Sequence, residues 1–311
     1  MEYCMHFKFE KSLKMLWSLV VILIVSSSIS VLICPDGLYT IEIVWNEWSS
    51  SYREQWLLGN KNSHGMWFVL ASIVTYGYFL SKRNFEVKKR LTISKLLIIV
   101  GVFLALVTLI MVKSSTGLVA VTIAWFALYS CICRDCKIVI NTKLVVIIYA
   151  VVAALVILGG MQFLQPIIQL VFKKDITFTG RNIIWANSLL YISQKPVLGW
   201  GVLSTSQITS MLGSVASTSA HNQFLNTLLQ GGLLLFAILL LLLTTIIKKI
   251  DAVQNNNDRT FLIMALLSVL VVMMFESCLN ENPAWAALLM IYLLAENSSI
   301  SLNELDYEDD Q

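Results

Sequence analysis

The chain has 311 residues, of which 57% are apolar and 13% charged, about half the charged share of an average soluble domain, which is about 25%. Its charges are confined to the gaps between long apolar runs, so the formal net charge of +3 means little as a total. This excludes a soluble globular domain and points to a polytopic, all-α membrane protein, because in lipid the backbone must satisfy its own hydrogen bonds.

Eight apolar stretches are each about long enough to cross a bilayer core. In chain order they run from Met15 to Ile33, Met66 to Leu80, Leu96 to Val112, Gly117 to Cys133, Leu144 to Phe163, Leu233 to Ile247, Thr260 to Phe275 and Pro283 to Ala295. The second and last are the shortest. Five spans therefore fall within residues 1–163 and three within 233–295, and an acidic tail, residues 296–311, ends in "ELDYEDDQ". The tail reads as disordered. The first span lacks a small-residue cleavage site and reads as a retained anchor.

Basic residues set the orientation. Lys8, Lys11 and Lys14 precede the first span, and Lys82, Arg83, Lys88, Lys89 and Arg90 follow the second. Arg134, Lys137 and Lys143 follow the fourth, and Lys248, Lys249 and Arg259 follow the sixth. These segments alternate as cytoplasmic ends should, which puts both termini in the cytoplasm of a multi-pass protein of the cytoplasmic membrane. The six cysteines offer no disulfide framework; Cys131, Cys133 and Cys136 sit at a cytoplasmic span end and read as free thiols.

Two exported segments are not spans: residues 35–65, rich in interfacial aromatics, and residues 164–232, the largest polar piece of the chain. Within the second, "TGRNIIWANSLLYISQ" puts Arg181, Ile184, Trp185, Ser188, Leu189 and Ile192 on one side of a helix. Thr179 suits its N-cap, and Lys195-Pro196 ends the pattern. "VLGWGVLS" reads as a glycine-rich turn. A second helix is predicted from near His221, with His221, Phe224, Leu225, Leu228 and Leu229 on an apolar face and Asn222, Gln223, Asn226 and Gln230 on the opposite, polar one. A histidine at a helix start, partly buried, is held neutral by the helix dipole and by desolvation. A neutral imidazole can act as a general base or simply pack and hydrogen-bond at the interface; the residues alone leave both readings open.

The order "TGR…W", "KPVLGWG" and "HNQFLNTLLQGG" ahead of an apolar run resembles the O-antigen ligase and polysaccharide polymerase family of membrane glycosyltransferases. Arg181, Pro196, Gly199, Gly201, His221, Asn222, Leu225 and Gly231 occupy the places of the family's motifs, and Gly59 and Asn62 are similar to its upstream G-x-x-N segment. The resemblance spans Arg53 to Ala295. Family members usually carry further spans at the N-terminus, so the resemblance implies either a shortened member or a gene start further upstream. Many also have a Ser-Arg pair where this chain has Lys113 followed by Ser114.

The resemblance implies a metal-independent, cofactor-free transfer of glycan from a polyprenyl-diphosphate-linked oligosaccharide, on the outer face of the cytoplasmic membrane. The acceptor hydroxyl belongs to another lipid-linked repeat unit in a polymerase and to a different molecule in a ligase; polymerisation is the favoured reading. His221 is then the general base and Arg181 the clamp on the diphosphate, because a guanidinium binds two phosphate oxygens at once. Lys113, Lys173, Lys174, Asn222 and Arg53 are further substrate-binding candidates, with Lys61 beside Arg53; snorkelling toward headgroups is the competing reading of the lysines, and capping of its own helix that of Asn222. Glu276 and Glu281 are alternative bases or solvated loop carboxylates. Trp185 and Trp200 either stack on sugar rings or anchor at the interface. Expected partners are membrane lipid and the flippase and chain-length regulator of a polysaccharide export machinery, and no nucleic acid. The rival readings are a lipid flippase and a non-catalytic scaffold; ion-coupled transport is disfavoured because the predicted spans hold no Asp, Glu, Lys, Arg or His.

Overall fold

The structure, a computed structural model, describes residues 2–46, 49–81, 87–133, 140–157, 181–213, 219–278 and 282–308. Helix α1 (Glu2–Ile33) is followed by a two-stranded antiparallel hairpin, β1 (Tyr39–Asn46) and β2 (Ser49–Gln55). Helices α2 (Lys61–Leu80), α3 (Val87–Met111), α4 (Ser115–Cys133) and α5 (Thr142–Ile157) come next. After them lie α6 (Arg181–Gln194), the short α7 (Thr205–Leu212), α8 (Gln223–Asp251), α9 (Asn256–Phe275) and α10 (Asn282–Glu308). The predicted helical class holds, with one small β-hairpin that the apolar pattern did not reveal.

Among the described residues four helices are long and apolar enough to cross a membrane: Lys11–Ile33, Ser115–Ile132, Gln223–Asp251 and Asn256–Phe275. Leu96–Met111 and Thr142–Ile157 are apolar but shorter. Of the eight expected spans, four meet both length and composition among the described residues. Helix α2 misses on composition: its sequence carries Ser63, His64, Ser72 and Thr75, and all four are buried against other helices. It is a central helix, shielded by protein on most sides, and polar groups there find protein partners. Ser72 and Thr75 donate to carbonyls of their own helix.

Close packing around α2 depends on glycine. Gly65 of α2 faces Gly117 of α4 so closely that a Cβ at Gly65 would stand 2.7 Å from the Gly117 Cα, the kind of small-residue contact that brings membrane helices together. Helix α4 also packs against α3 and α9. The outer faces of the bundle expose large apolar side chains that a soluble protein would bury, including Ile22, Phe103, Ile147 and Leu241. This belt and the four long apolar helices make the chain an integral membrane protein.

The end of the bundle that carries the hairpin also collects the start of α2, the α3–α4 turn, the start of α8 and the end of α9. At the opposite end Asp258, in the first turn of α9, is buried and accepts a hydrogen bond from Tyr76. Helix α10 continues to Glu308, so residues 304–308, expected to be disordered, are helical. The leucines and glutamates of "LNELDYE" are good helix formers, which the acidic charge pattern had masked.

Helix α8 bends where the glycine pair interrupts it. Gly232 has φ +59° and ψ −159°, a conformation outside the helical range. The backbone groups freed by this kink pair with the turn that follows α6. Trp200 N and Gly201 N donate to the carbonyls of Leu229 and Gln230, both at 2.8 Å, while Leu233 N and Leu234 N donate to those of Pro196 (2.8 Å) and Val197 (3.2 Å). The contact leaves no room for side chains: a Cβ at Gly199 would lie 2.5 Å from the Gln230 carbonyl, and one at Gly232 would lie 2.3 Å from that of Val197. The "KPVLGWG" turn and the "QGG" ending are therefore two halves of one interlock.

Candidate active site

His221 does not begin the helix. Asn222 is the N-cap of α8, in extended conformation, and its side-chain oxygen accepts from Leu225 N at 2.9 Å. His221 precedes it with φ +46°, a left-handed conformation that costs a non-glycine residue about 1–2 kcal/mol. Its neighbours hold it there. Ala220 donates its N–H to Asn226 Oδ1 (3.4 Å) and its carbonyl accepts from Trp185 Nε1 (3.0 Å). On the other side Asn222 Nδ2 donates to the Met274 carbonyl at 2.8 Å. With both flanking residues pinned, the imidazole is turned off the helix surface.

This corrects the predicted faces of α8. Asn222, Gln223 and Asn226, assigned to the polar face, are all buried, while Phe224 and Leu228 are half-buried. The buried amides are satisfied locally: Gln223 Nε2 donates to Thr227 Oγ1 at 3.0 Å, and Thr227 returns a bond to the Gln223 carbonyl. Periodicity assumed that polar groups seek water, whereas here the loop before α8 and the end of α9 supply their partners. Asn222, expected among the substrate contacts, is fully buried with both ends of its amide occupied, and its role is to cap and anchor.

The imidazole points at the end of α9. His221 Nδ1 lies 3.3 Å from Glu276 Oε2, and Arg181 Nη2 lies 2.7 Å from Glu276 Oε1. All three side chains are largely shielded, at 12–19% exposure, and the Arg181 guanidinium sits 5.9 Å from the Phe275 ring centroid. Burial pushes the Glu276 carboxyl up, but the hydrogen bond with His221 and the charge of Arg181 outweigh it and hold the group below its ordinary value. An ionised carboxylate only accepts, so Nδ1 carries the hydrogen, which in the neutral tautomer leaves Nε2 as the acceptor. Glu276 is thus neither a solvated loop carboxylate nor a free base; it is the group that orients His221.

A cavity of about 200 Å³ opens beside this triad, lined by Arg53, Asn60, Asn62, Ser219, His221 and Glu276 together with Met66, Val272, Ser277 and Cys278. Three separate stretches meet there: the hairpin and the start of α2, the loop before α8, and the end of α9. Asn60 reaches the site as the N-cap of α2, its side chain accepting from Asn62 N (2.9 Å) and Ser63 N (3.3 Å). The segment behind it is locked by His64, whose Nδ1 lies 2.9 Å from the Asn60 carbonyl and whose Nε2 lies 3.2 Å from Ser27 Oγ of α1.

Of the expected site residues, Arg53 lines the cavity, whereas Arg181, the triad's cation behind Glu276, is not among the lining residues. Lys113 is exposed in the α3–α4 turn with φ +58° and does not line the cavity. Lys61 is exposed as well. Lys173, Lys174, Thr179 and Glu281 lie outside the described residues. Trp185 is 1% exposed and works as a structural clamp on Ala220, so neither stacking on sugars nor interfacial anchoring describes it. Trp200 is half-buried, donates to the Tyr191 carbonyl at 2.9 Å and lies under Lys195 Nζ, 4.0 Å from its ring centroid. The lining residues Asn60, Ser219, Ser277 and Cys278 carried no signal in the sequence beyond their nearness to motif positions.

Residues 100–240 match the family described as O-antigen ligase. No curated protein and no solved structure matches the chain. The match takes in Arg181, His221 and the interlocked glycines, while the hairpin, the start of α2 and Glu276 lie outside it. With the apolar belt, the buried triad and the paired glycine motifs in one molecule, this integral membrane protein is similar, over residues 100–240, to the O-antigen ligase family.

Proposed function

We propose that the protein is a membrane glycosyltransferase that joins polyprenyl-diphosphate-linked oligosaccharide units into a longer polysaccharide on the outer face of the cytoplasmic membrane. The observation that carries this reading is the His221–Glu276–Arg181 triad at the wall of a polar cavity, on a helix-bundle end adjoining the lipid-facing belt. His221 Nε2 accepts the proton of the acceptor hydroxyl as that oxygen attacks the anomeric carbon of the donor. The new C–O bond forms while the bond from the anomeric carbon to the diphosphate oxygen breaks, and the diphosphate leaves with the electron pair. Glu276 keeps Nδ1 protonated and stabilises the imidazolium that results. Arg181 balances the Glu276 charge, so the site does not repel an anionic donor.

Polymerisation is the reading proposed here and transfer to an unrelated acceptor the alternative; both use the same chemistry, and the family match is common to both. The basic segments at the bundle end far from the triad, including Lys248 and Lys249 near the end of α8, support the orientation with the cavity outside. The test is complementation of a deletion strain with His221→Ala: long-chain polysaccharide is lost while the protein still inserts. Normal chain length from this variant overturns the transferase reading and leaves a flippase or scaffold. Labelling of a single cysteine placed at Ser219 from outside the cell tests the orientation.

A further inference from the structure

We infer that α6 and the turn after it, residues 183–202, form a lipid-inserted shelf, with their exposed apolar side chains covered by acyl chains of the leaflet that adjoins the start of the α8 span. The inference goes beyond the transferase reading and holds whatever reaction the triad serves. It reverses, for these residues, the expectation of a polar loop standing in water.

The residues left outside are apolar. Ile183, Leu189 and Leu190 of α6 are exposed, as are Val197, Leu198 and Val202 of the turn, Leu198 at 69% and Val202 at 96%. The other side of α6 is already packed, with Ile184, Trp185 and Ser188 buried, so the exposed set is a second face with its own contact to make. Charge is scarce as well. From Arg181 to Gly213 the only charged side chains are Arg181, engaged by Glu276, and Lys195; a soluble stretch of that length would hold about eight. A face without carboxylates, carrying one lysine at its edge, suits acyl chains beneath headgroups.

The α8 span fixes the depth of this face. Leu233, Leu234, Leu235 and Ile238 are exposed and belong to the lipid-facing belt. Lys248 and Lys249 mark the far end of the span, and from Lys248 back to Leu233 the helix climbs only about 22 Å. That is less than a hydrocarbon thickness of about 30 Å, so Leu233 lies within the hydrocarbon. The turn is bonded to α8 at that level, because Leu233 N and Leu234 N donate to the carbonyls of Pro196 and Val197. Residues joined to Leu233 and Leu234 in this way share their depth, and the exposed face of the turn continues the belt.

The hydrogen bonds of the turn fit the same placement. Irregular backbone at membrane depth persists only where protein satisfies it. Besides the two bonds above, Trp200 N and Gly201 N donate to α8 carbonyls, Gly199 N donates to the Lys195 carbonyl at 3.1 Å, and Trp200 Nε1 donates to the Tyr191 carbonyl. The apolar face then stops abruptly: Ser204, Thr205, Ser206 and Gln207 are all exposed, and there the chain returns to headgroups and water.

The experiment places an environment-sensitive fluorescent amino acid at Leu198, at Val202 or, as the water-facing comparison, at the exposed Ser210 of α7. The full-length protein is reconstituted into phosphatidylcholine vesicles with and without doxyl-labelled lipid. Emission from the first two sites is shifted to the blue and lost to doxyl quenching, while emission from the third stays as in water. Water-like, unquenched emission from Leu198 and Val202 overturns the inference. Blue-shifted emission that doxyl lipid leaves untouched overturns it too, since a second copy or another protein would then cover the face. If the substitutions prevent folding, the wild type decides. A phospholipid carrying a diazirine on its acyl chain labels residues 195–203 along with 233–241 if the inference holds, and only the latter if it fails. Neither readout uses the reaction, so failure here leaves the transferase reading standing, and an active His221→Ala leaves the shelf in place.

Discussion

His221 Nδ1 and Glu276 Oε2 are 3.3 Å apart although 55 residues separate them in the chain. The carboxylate that orients the imidazole belongs to the end of α9, and the loop that strains the histidine belongs to the start of α8. The catalytic competence proposed for His221 therefore depends on a contact between two helix ends, and substitutions at Glu276 address it directly.

Glu276→Gln keeps the shape of the side chain but lets the amide offer hydrogens as well as accept them, so the tautomer of His221 is no longer enforced. Polymer formation in a membrane assay is expected to fall on the order of 10²-fold, within the range assigned to general acid–base contributions. Glu276→Ala is expected to cost more. It leaves the Arg181 charge buried without a partner, a loss of about 3–5 kcal/mol when a buried pair is broken, and should lower the thermal midpoint in detergent well below that of Glu276→Gln.

Stability should depend on pH through the same carboxylate. The Glu276 carboxyl is held below its ordinary value of 4.5 in the folded protein. Its contribution is thus fully present above about pH 4.5 and is lost as the pH falls through the depressed folded value. Thermal unfolding followed from pH 7 to pH 3 should show a fall below pH 4.5 that is shallower in Glu276→Gln. Equal pH profiles for the two proteins would contradict the assignment.

The left-handed backbone at His221 gives a test that separates function from stability. Glycine adopts φ +46° without penalty, so His221→Gly should equal or exceed His221→Ala in thermal stability, by about 1 kcal/mol. Both variants should be inactive. A less stable His221→Gly would mean that the strain is not relieved at this position.

The interlock between the "KPVLGWG" turn and the α8 kink predicts a contrast among glycines. Gly232→Ala forces a Cβ to 2.3 Å from the Val197 carbonyl and Gly199→Ala forces one to 2.5 Å from that of Gln230. Backbone cannot retreat as a side-chain tip can, so each should cost more than about 2 kcal/mol and lower the yield of folded protein. Gly201→Ala meets no atom within 4 Å at φ +79°. It should cost only the conformational strain of about 1–2 kcal/mol and retain more folded protein than either.

Much of this protein is readable along the chain. Apolar runs too long and too free of charge for a soluble domain require helices in lipid, and that follows from composition alone. The motif positions around Arg181, Gly199, His221 and Gly231 are local in sequence, so their resemblance to a transferase family is visible without coordinates. The helix of residues 181–194 was legible because its periodicity and its proline stop are local signals.

Tertiary structure decided the rest. Periodicity put His221 on an apolar helix face, but its two chain neighbours, held by Trp185 of α6 and Met274 of α9, lift it off the helix. Asn222 could be read from its motif position as a substrate contact or as a helix cap, and partners from α9 and its own first turn decide for the cap. Glu276 was one acidic residue after an apolar run until burial beside Arg181 and His221 gave it a role. Arg53 lies 168 positions before His221 in the chain, and only folding brings both to the wall of one cavity. Local propensities follow from neighbours a few residues away, whereas which charges are neutralised depends on groups brought together from all parts of the chain, and no linear pattern records that.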